Sequence, residues 1–193
     1  MKAGKHLLIL TIFIFLGMLL SACGNKIEKN MSEPMAEFSF TTQDEYIISL
    51  DDLKDEWWIT YFSYTNCRTV CPRTTANMVD VQSELKEDNL HPKIISFNVD
   101  PANDTPKDLK EYAEEYGVDL STWDFLTGYD FETIQEISKN SFHAVLEAGA
   151  ADQMAHSYMF YLVNPEGEVV KKYDGMSMDE LDTLIEDVKI VMK

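Results

Sequence analysis

The run Trp57-Trp58-Ile59-Thr60-Tyr61-Phe62-Ser63-Tyr64-Thr65-Asn66-Cys67-Arg68-Thr69-Val70-Cys71-Pro72 decides the fold. Trp57 to Tyr64 is aromatic and β-branched, the composition of a buried strand. The run breaks at Thr65-Asn66, passes two cysteines and meets a proline suited to a first helical turn, where a missing N–H costs nothing. Strand, thiols and helix start come in the order of a redox or metal site. The unpaired N–H groups and positive dipole end of a helix favour thiolate over thiol, lowering a cysteine pKa from about 8.5 toward about 7 or below. Thiolate is the form that attacks disulfides and binds metals.

Upstream, residues 1–22 read as a secretory leader outside the fold. Lys2 and Lys5 give a basic start, Leu7 to Leu20 is nearly all apolar, and Leu20-Ser21-Ala22 places small residues before Cys23. The apolar run is 14 residues long, short of the roughly 20 that a membrane-spanning helix needs. Leu20-Ser21-Ala22-Cys23 also resembles the bacterial lipobox, which implies cleavage before Cys23 and a lipid on that cysteine; an ordinary cleaved signal is the alternative. The mature thiols are then Cys67 and Cys71. Residues 23–37 are polar, carry Met31-Ser32-Glu33-Pro34 without an apolar period, and read as a tether between membrane and domain. Residues 38–193 are enough for one domain with an ample core.

The chain carries −18 at neutral pH; without Lys2 and Lys5 it has 14 basic against 34 acidic residues, or −20. That balance argues against a nucleic-acid partner and against polybasic docking on membranes. Attachment to a membrane, at the cell membrane's extracytoplasmic face, therefore has to come from the lipid. The charge itself is accounted for by solubility and names no substrate.

Two short alternating runs, Phe38 to Phe40 and Tyr46 to Leu50, predict an N-terminal edge hairpin. After the Trp57 strand, a helix is expected from Cys71 or Pro72 to about Asn89, with Met78, Val81 and Leu85 on one face. Lys93 to Val99 is a second central strand. Thr105-Pro106-Lys107-Asp108 reads as a helix start that runs to Tyr116 and stops at Gly117. Trp123 to Leu126 is a third strand, followed by a helix capped by Asp130 and ending near Lys139. Tyr158 to Val163 and Glu168 to Tyr173 flank the turn Asn164-Pro165-Glu166-Gly167, a hairpin signal. Ser177 and Glu180 predict a capping box for a last helix over 178–191. This order implies an α/β domain whose central mixed sheet is parallel in its first half and antiparallel in its second, flanked by helices. The thioredoxin-like fold has that architecture, with reactive cysteines at the end of its first parallel strand, where Cys67 and Cys71 fall.

Three residues, Arg68-Thr69-Val70, separate the thiols, one more than in the usual dithiol oxidoreductase pair. The wider spacing can close as a disulfide and also suits two ligands of one metal, with a third donor completing the shell. Two thiolates are soft and favour Cu(I), Cu(II) or Zn(II) over Mg or Ca. The third donor should be a histidine. His6 lies in the leader, His91 beside Pro92 reads as a solvated turn residue, and His143 follows a helix in a polar stretch. His156 precedes the Tyr158 strand, in a loop that faces the cysteine loop in a thioredoxin-like fold; ligand and capping or core histidine are both open readings there.

Three motifs now carry a family resemblance: Tyr64 to Pro72; Val99-Asp100-Pro101-Ala102-Asn103-Asp104-Thr105-Pro106; and His156-Ser157 before the Asn164 to Gly167 turn. Together, in this order, they resemble the Sco/SenC family of copper proteins that help assemble cytochrome c oxidase. The resemblance implies a thioredoxin-like fold and one copper ion, Cu(I) or Cu(II), bound by Cys67, Cys71 and His156. It also implies a monomeric chaperone that delivers copper to the copper A site of oxidase subunit II, or reduces the receiving cysteines there, with a thiol reductant protein as a further partner. A metal-independent thiol-disulfide oxidoreductase or a redox sensor, using Cys67 and Cys71 alone, is the competing reading. One departure is Arg68, where many members have proline; it reads either as a solvated residue or as a cation stabilising a thiolate. Asp100 is placed either to hydrogen-bond near the site or to cap its own loop, and Met154 is only a candidate for a weak extra donor, an ordinary apolar residue being the alternative.

Overall fold

The computed structural model describes residues 27–149 and 153–193; the leader, Cys23 and the lipobox lie outside the described residues. Ten strands and four α-helices are present among them. They are β1 (Glu33–Pro34), β2 (Ser39–Thr42), β3 (Ile47–Ser49), β4 (Trp58–Ser63), α1 (Cys71–Glu87), β5 (Lys93–Asn98), α2 (Pro106–Tyr116), β6 (Trp123–Thr127), α3 (Phe131–Phe142), β7 (Leu146–Ala148), β8 (Met154–His156), β9 (Met159–Val163), β10 (Glu168–Asp174) and α4 (Met178–Met192). Eight strands form one sheet in the order β1-β10-β9-β4-β5-β6-β2-β3, and β7 pairs with β8 as a separate ribbon.

The sheet is organised about β4. It runs parallel to β5, from Trp58 opposite Lys93 to Ser63 opposite Asn98, and antiparallel to β9, with Trp58 opposite Val163. All six of its residues are buried, as expected of a strand covered on both faces. Alternation sends Trp58 and Phe62 into one cluster, with Phe97, Ile134, Ile137 and Phe142. Ile59 and Tyr61 enter the other, with Met78, Val81, Leu85, Leu109, Phe125, Leu181 and Val188. Helix α3 therefore covers one face, and α1, α2 and α4 cover the other. The mixed sheet and its helices are the thioredoxin-like arrangement that the order of elements predicted, and β2 pairs antiparallel with β3 as the expected edge hairpin.

The predicted punctuation of α2 is met in full. The Thr105 hydroxyl accepts from the Asp108 N–H, Pro106 occupies the first turn, and Gly117 ends the helix at φ 70°, a left-handed conformation that glycine adopts without Cβ strain. Asp130 caps α3 through the Thr133 N–H, and α3 continues to Phe142 because Ser141 and Phe142 are buried and keep the last turn packed.

Three expectations change. The predicted capping box at Ser177 does not form: Ser177 sits at the N-cap of α4 with no side-chain cap bond, and its carbonyl instead accepts from the Glu180 and Leu181 N–H groups. The tether assigned to residues 23–37 is not free-standing from Ile27 onward. Lys29 pairs with Glu168 at 2.8 Å, β1 adds to the edge of β10, and Met35 is buried. Edge pairing uses backbone groups, so a polar stretch without apolar period can join a sheet. Finally, His156 does not lie in a loop: it ends β8, which pairs with β7 as a two-stranded ribbon.

Candidate metal centre

The site is built where β4 ends. Past Ser63 the chain leaves the sheet, and Thr65 is held by a second loop: its N–H and hydroxyl donate to the Asp104 carboxylate at 3.0 and 2.5 Å. Cys67 follows in the bend, and Cys71 is the first residue of α1, with Pro72 in the first turn. Both cysteines are free thiols and buried, Cys67 at 8% and Cys71 at 0% exposure. His156 ends β8, paired with the buried Leu146 of β7. The Sγ atoms of Cys67 and Cys71 and a ring nitrogen of His156 all lie within 4.8 Å of one another.

The hydrogen bonds assign protons within this group. His156 Nδ1 is 2.8 Å from the Ser157 carbonyl oxygen. A carbonyl cannot donate, so Nδ1 carries the proton and Nε2 presents its lone pair. That lone pair faces Cys71 Sγ at 3.2 Å, so the Cys71 S–H donates to it. The backbone N–H of Cys71, one of the unpaired donors of the α1 terminus, points to Cys67 Sγ at 3.3 Å. The helix terminus therefore supports the thiolate of Cys67, not of the cysteine that starts the helix.

The ionisation follows. The adjoining Cys71 side chain, with help from His156 and from the backbone N–H groups of Thr69 and Cys71, outweighs burial and lowers the Cys67 pKa to about 3. Burial first, and then the negative Cys67 beside it, raise that of Cys71. Because the folded pKa of Cys67 lies below its unfolded value, its contribution to stability is fully present above about pH 9 and is lost as the pH falls toward about 3. The reduced protein is thus expected to show one thiolate by ultraviolet absorption at about pH 6, removed by Cys67→Ser. Thiolate absorption that appears only above about pH 8, or that survives Cys67→Ser, contradicts the assignment.

The donor set fits a soft metal ion. Metal–sulfur and metal–nitrogen bonds of about 2.0–2.3 Å separate ligand atoms by up to about 4.6 Å, close to the spacing seen. One thiolate, one thiol that must lose its proton and one imidazole suit copper better than an oxygen-seeking cation. The imidazole is already held by its Nδ1 bond, the arrangement that orients metal-ligating histidines.

The other sequence candidates separate clearly. His91 is exposed. His143 ends α3 in a left-handed conformation and pairs with Glu33 at 3.0 Å. Arg68 is exposed. Asp100 caps its own loop, its carboxylate accepting from Asn103 Nδ2 at 2.8 Å. The neighbouring acid that reaches the cysteine loop is Asp104, which sequence reading passed over; two aspartates four residues apart in one polar loop carry no signal that tells them apart. Met154 packs against the cluster that contains both cysteines.

Fold and site define a thioredoxin-like protein with a Cys-Cys-His group at the end of its first parallel strand. The model of the SCO1/SenC family matches residues 27–193, and the chain belongs to that family. It is 43% identical over 191 residues to the SCO1 protein homolog of Bacillus subtilis, covering 98% of this chain and 97% of that one. It superposes on the solved structure described as BsSco, a member of the Sco family of cytochrome c oxidase assembly proteins, with a disulfide switch. That match has a TM-score of 0.78 and 41% identity, over 86% of this chain and 97% of the other. The copper-bound ScoI of Arabidopsis thaliana matches with a TM-score of 0.69 and 25% identity, over 81% and 97% of the two chains.

Proposed function

We propose that the chain is a membrane-anchored copper chaperone for assembly of cytochrome c oxidase, binding one copper ion through Cys67, Cys71 and His156. The observation that carries this is the convergence of those three donors within 4.8 Å, with His156 Nε2 unprotonated and aimed at Cys71. A dithiol exchanger does not need an imidazole fixed over its second thiol; a Cys₂His copper site does. Copper-bound and oxidase-assembly relatives of the same fold support the same cargo and destination. The destination is the copper A site of subunit II, on the extracytoplasmic side, reached from a lipid on Cys23.

The thiol chemistry gives the same site a second capacity, reduction of the receiving cysteines. The Cys67 thiolate attacks one sulfur of a partner disulfide, forming a mixed disulfide and releasing one partner thiolate. Cys71 then passes its proton to His156 Nε2, 3.2 Å away, and attacks Cys67 Sγ, releasing the second partner thiolate. Two electrons leave the chain, which keeps a Cys67–Cys71 disulfide, and the partner gains two thiols ready for metal.

The test is oxidase assembly in cells carrying single variants. His156→Ala is expected to lower assembly as far as Cys67→Ser does, with partial rescue by added copper, and Cys23→Ala to block lipid labelling and reduce assembly without unfolding the domain. Normal assembly with His156→Ala but not with Cys67→Ser makes a metal-free thiol reductase the better account.

A further inference from the structure

The β7–β8 ribbon that carries His156 has only three residues in each strand, and an isolated two-stranded ribbon of that length has little stability of its own. Its place is set by contacts at both ends. At its base, Leu146 is buried and its carbonyl accepts from Gln135 Nε2 at 2.8 Å. At its tip, a set of polar contacts reaches the cysteine loop. The Met154 N–H donates to Tyr64 Oη at 3.1 Å, and Tyr64 Oη donates to Gln153 Oε1 at 3.3 Å. Gln153 Oε1 also accepts from the Arg68 N–H at 3.4 Å, and Gln153 Nε2 donates to the Asn66 carbonyl at 3.2 Å.

Asn66 and Arg68 flank Cys67. One side-chain amide thus bonds the backbone on both sides of the thiolate residue, as a neighbouring strand would. Tyr64, buried at the end of β4, holds the ribbon two residues before His156, and its ring meets the His156 ring edge-on at 5.6 Å and 82°. Cys67 is the donor least fixed by regular structure, since Cys71 belongs to α1 and His156 to β8.

We propose that Tyr64 and Gln153 are positioning residues that clasp the Cys67 loop to the His156 ribbon and keep Cys67 in register with His156. Neither is one of the three donors. This rests on the copper reading for its purpose, and on the geometry alone for its existence. A shell with three donors in fixed register favours Cu(II), which demands imidazole and a defined geometry, whereas two sulfurs hold Cu(I) without it. The clasp therefore acts on Cu(II) retention more than on Cu(I).

The test compares wild type, Gln153→Ala, Tyr64→Phe and the double variant, full-chain and reduced. Orienting partners outside a ligand shell are worth about 10–100-fold in metal affinity, so Cu(II) should leave the double variant about tenfold faster or more, with an altered sulfur-to-copper absorption. Cu(I) affinity and melting temperature should change little. Without copper, the nuclear Overhauser contact between the His156 ring and Cys67 should weaken in the variants. Gln153→Glu, which keeps the acceptor for Arg68 and Tyr64 but not the donor to Asn66, should fall between wild type and Gln153→Ala. Wild-type Cu(II) release together with an unchanged His156–Cys67 contact overturns the clasp. A wild-type protein that binds no Cu(II) overturns the copper reading instead, and the metal-free contact then judges the clasp by itself. If the double variant does not fold, Gln153→Ala, a single change at the ribbon tip, supplies the same comparison.

Discussion

Protein fully oxidised at Cys67 and Cys71 is expected to lose copper binding by about 10⁴-fold or more. The disulfide and the metal compete for the same sulfurs. Removing an outer partner of a ligand already costs about 10–100-fold in affinity, so removing two ligands outright costs at least the square of the upper figure. The two thiols are free and close enough to share one site, and the loop that a disulfide would close is very short. Its formation therefore depends on local geometry more than on chain entropy. Competition binding with a copper chelator, before and after oxidation and again after re-reduction, reads the effect. Unchanged one-to-one binding after complete oxidation places the ligands elsewhere.

His156→Ala carries the second large effect, and it falls unequally on the two oxidation states. Removing the imidazole leaves two sulfurs, a low-coordinate soft site in which Cu(I) remains stable, while Cu(II) prefers more ligands with imidazole among them. Cu(II) affinity is expected to fall by more than about a hundredfold, the upper cost of merely disturbing such a ligand, and the sulfur-to-copper charge-transfer absorption should be lost. Oxidation of Cys67 with Cys71 should remain possible, because exchange needs only a thiolate attacker and a resolving thiol. It should be slower, since Cys71 loses the base 3.2 Å from its sulfur. Titration of the variant with Cu(II) and with Cu(I) separately checks the asymmetry; equal losses for both would contradict it.

The parts of this molecule that were legible in its sequence are those specified by local chemistry. β4 is aromatic and β-branched throughout, α2 has threonine, proline and glycine at the positions its ends require, and the β9–β10 turn holds Gly167 at φ 75°. The β7–β8 ribbon was not legible, because Leu-Glu-Ala and Met-Ala-His have no strand pattern; its position comes from Leu146 in the core and from Tyr64 and Gln153 across a gap of nearly ninety residues. β1 was hidden for a related reason, since it joins β10 through backbone groups and the Lys29–Glu168 pair. At the site, the two cysteines announced themselves by spacing, and His156 by its place before a strand. What spacing could not give was the proton arrangement. It depends on the Ser157 carbonyl fixing the His156 tautomer and on the Cys71 N–H reaching Cys67, both matters of backbone geometry.

The most direct measurement is a Cu(II) titration of the reduced protein followed by absorption and electron paramagnetic resonance. The account predicts saturation at one equivalent per chain, with intense sulfur-to-copper charge transfer and nitrogen coupling in the resonance spectrum, both absent from Cys67→Ser/Cys71→Ser. Cu(II) that binds without sulfur charge transfer, or with the same spectrum in that double variant, would contradict the Cys67, Cys71 and His156 site.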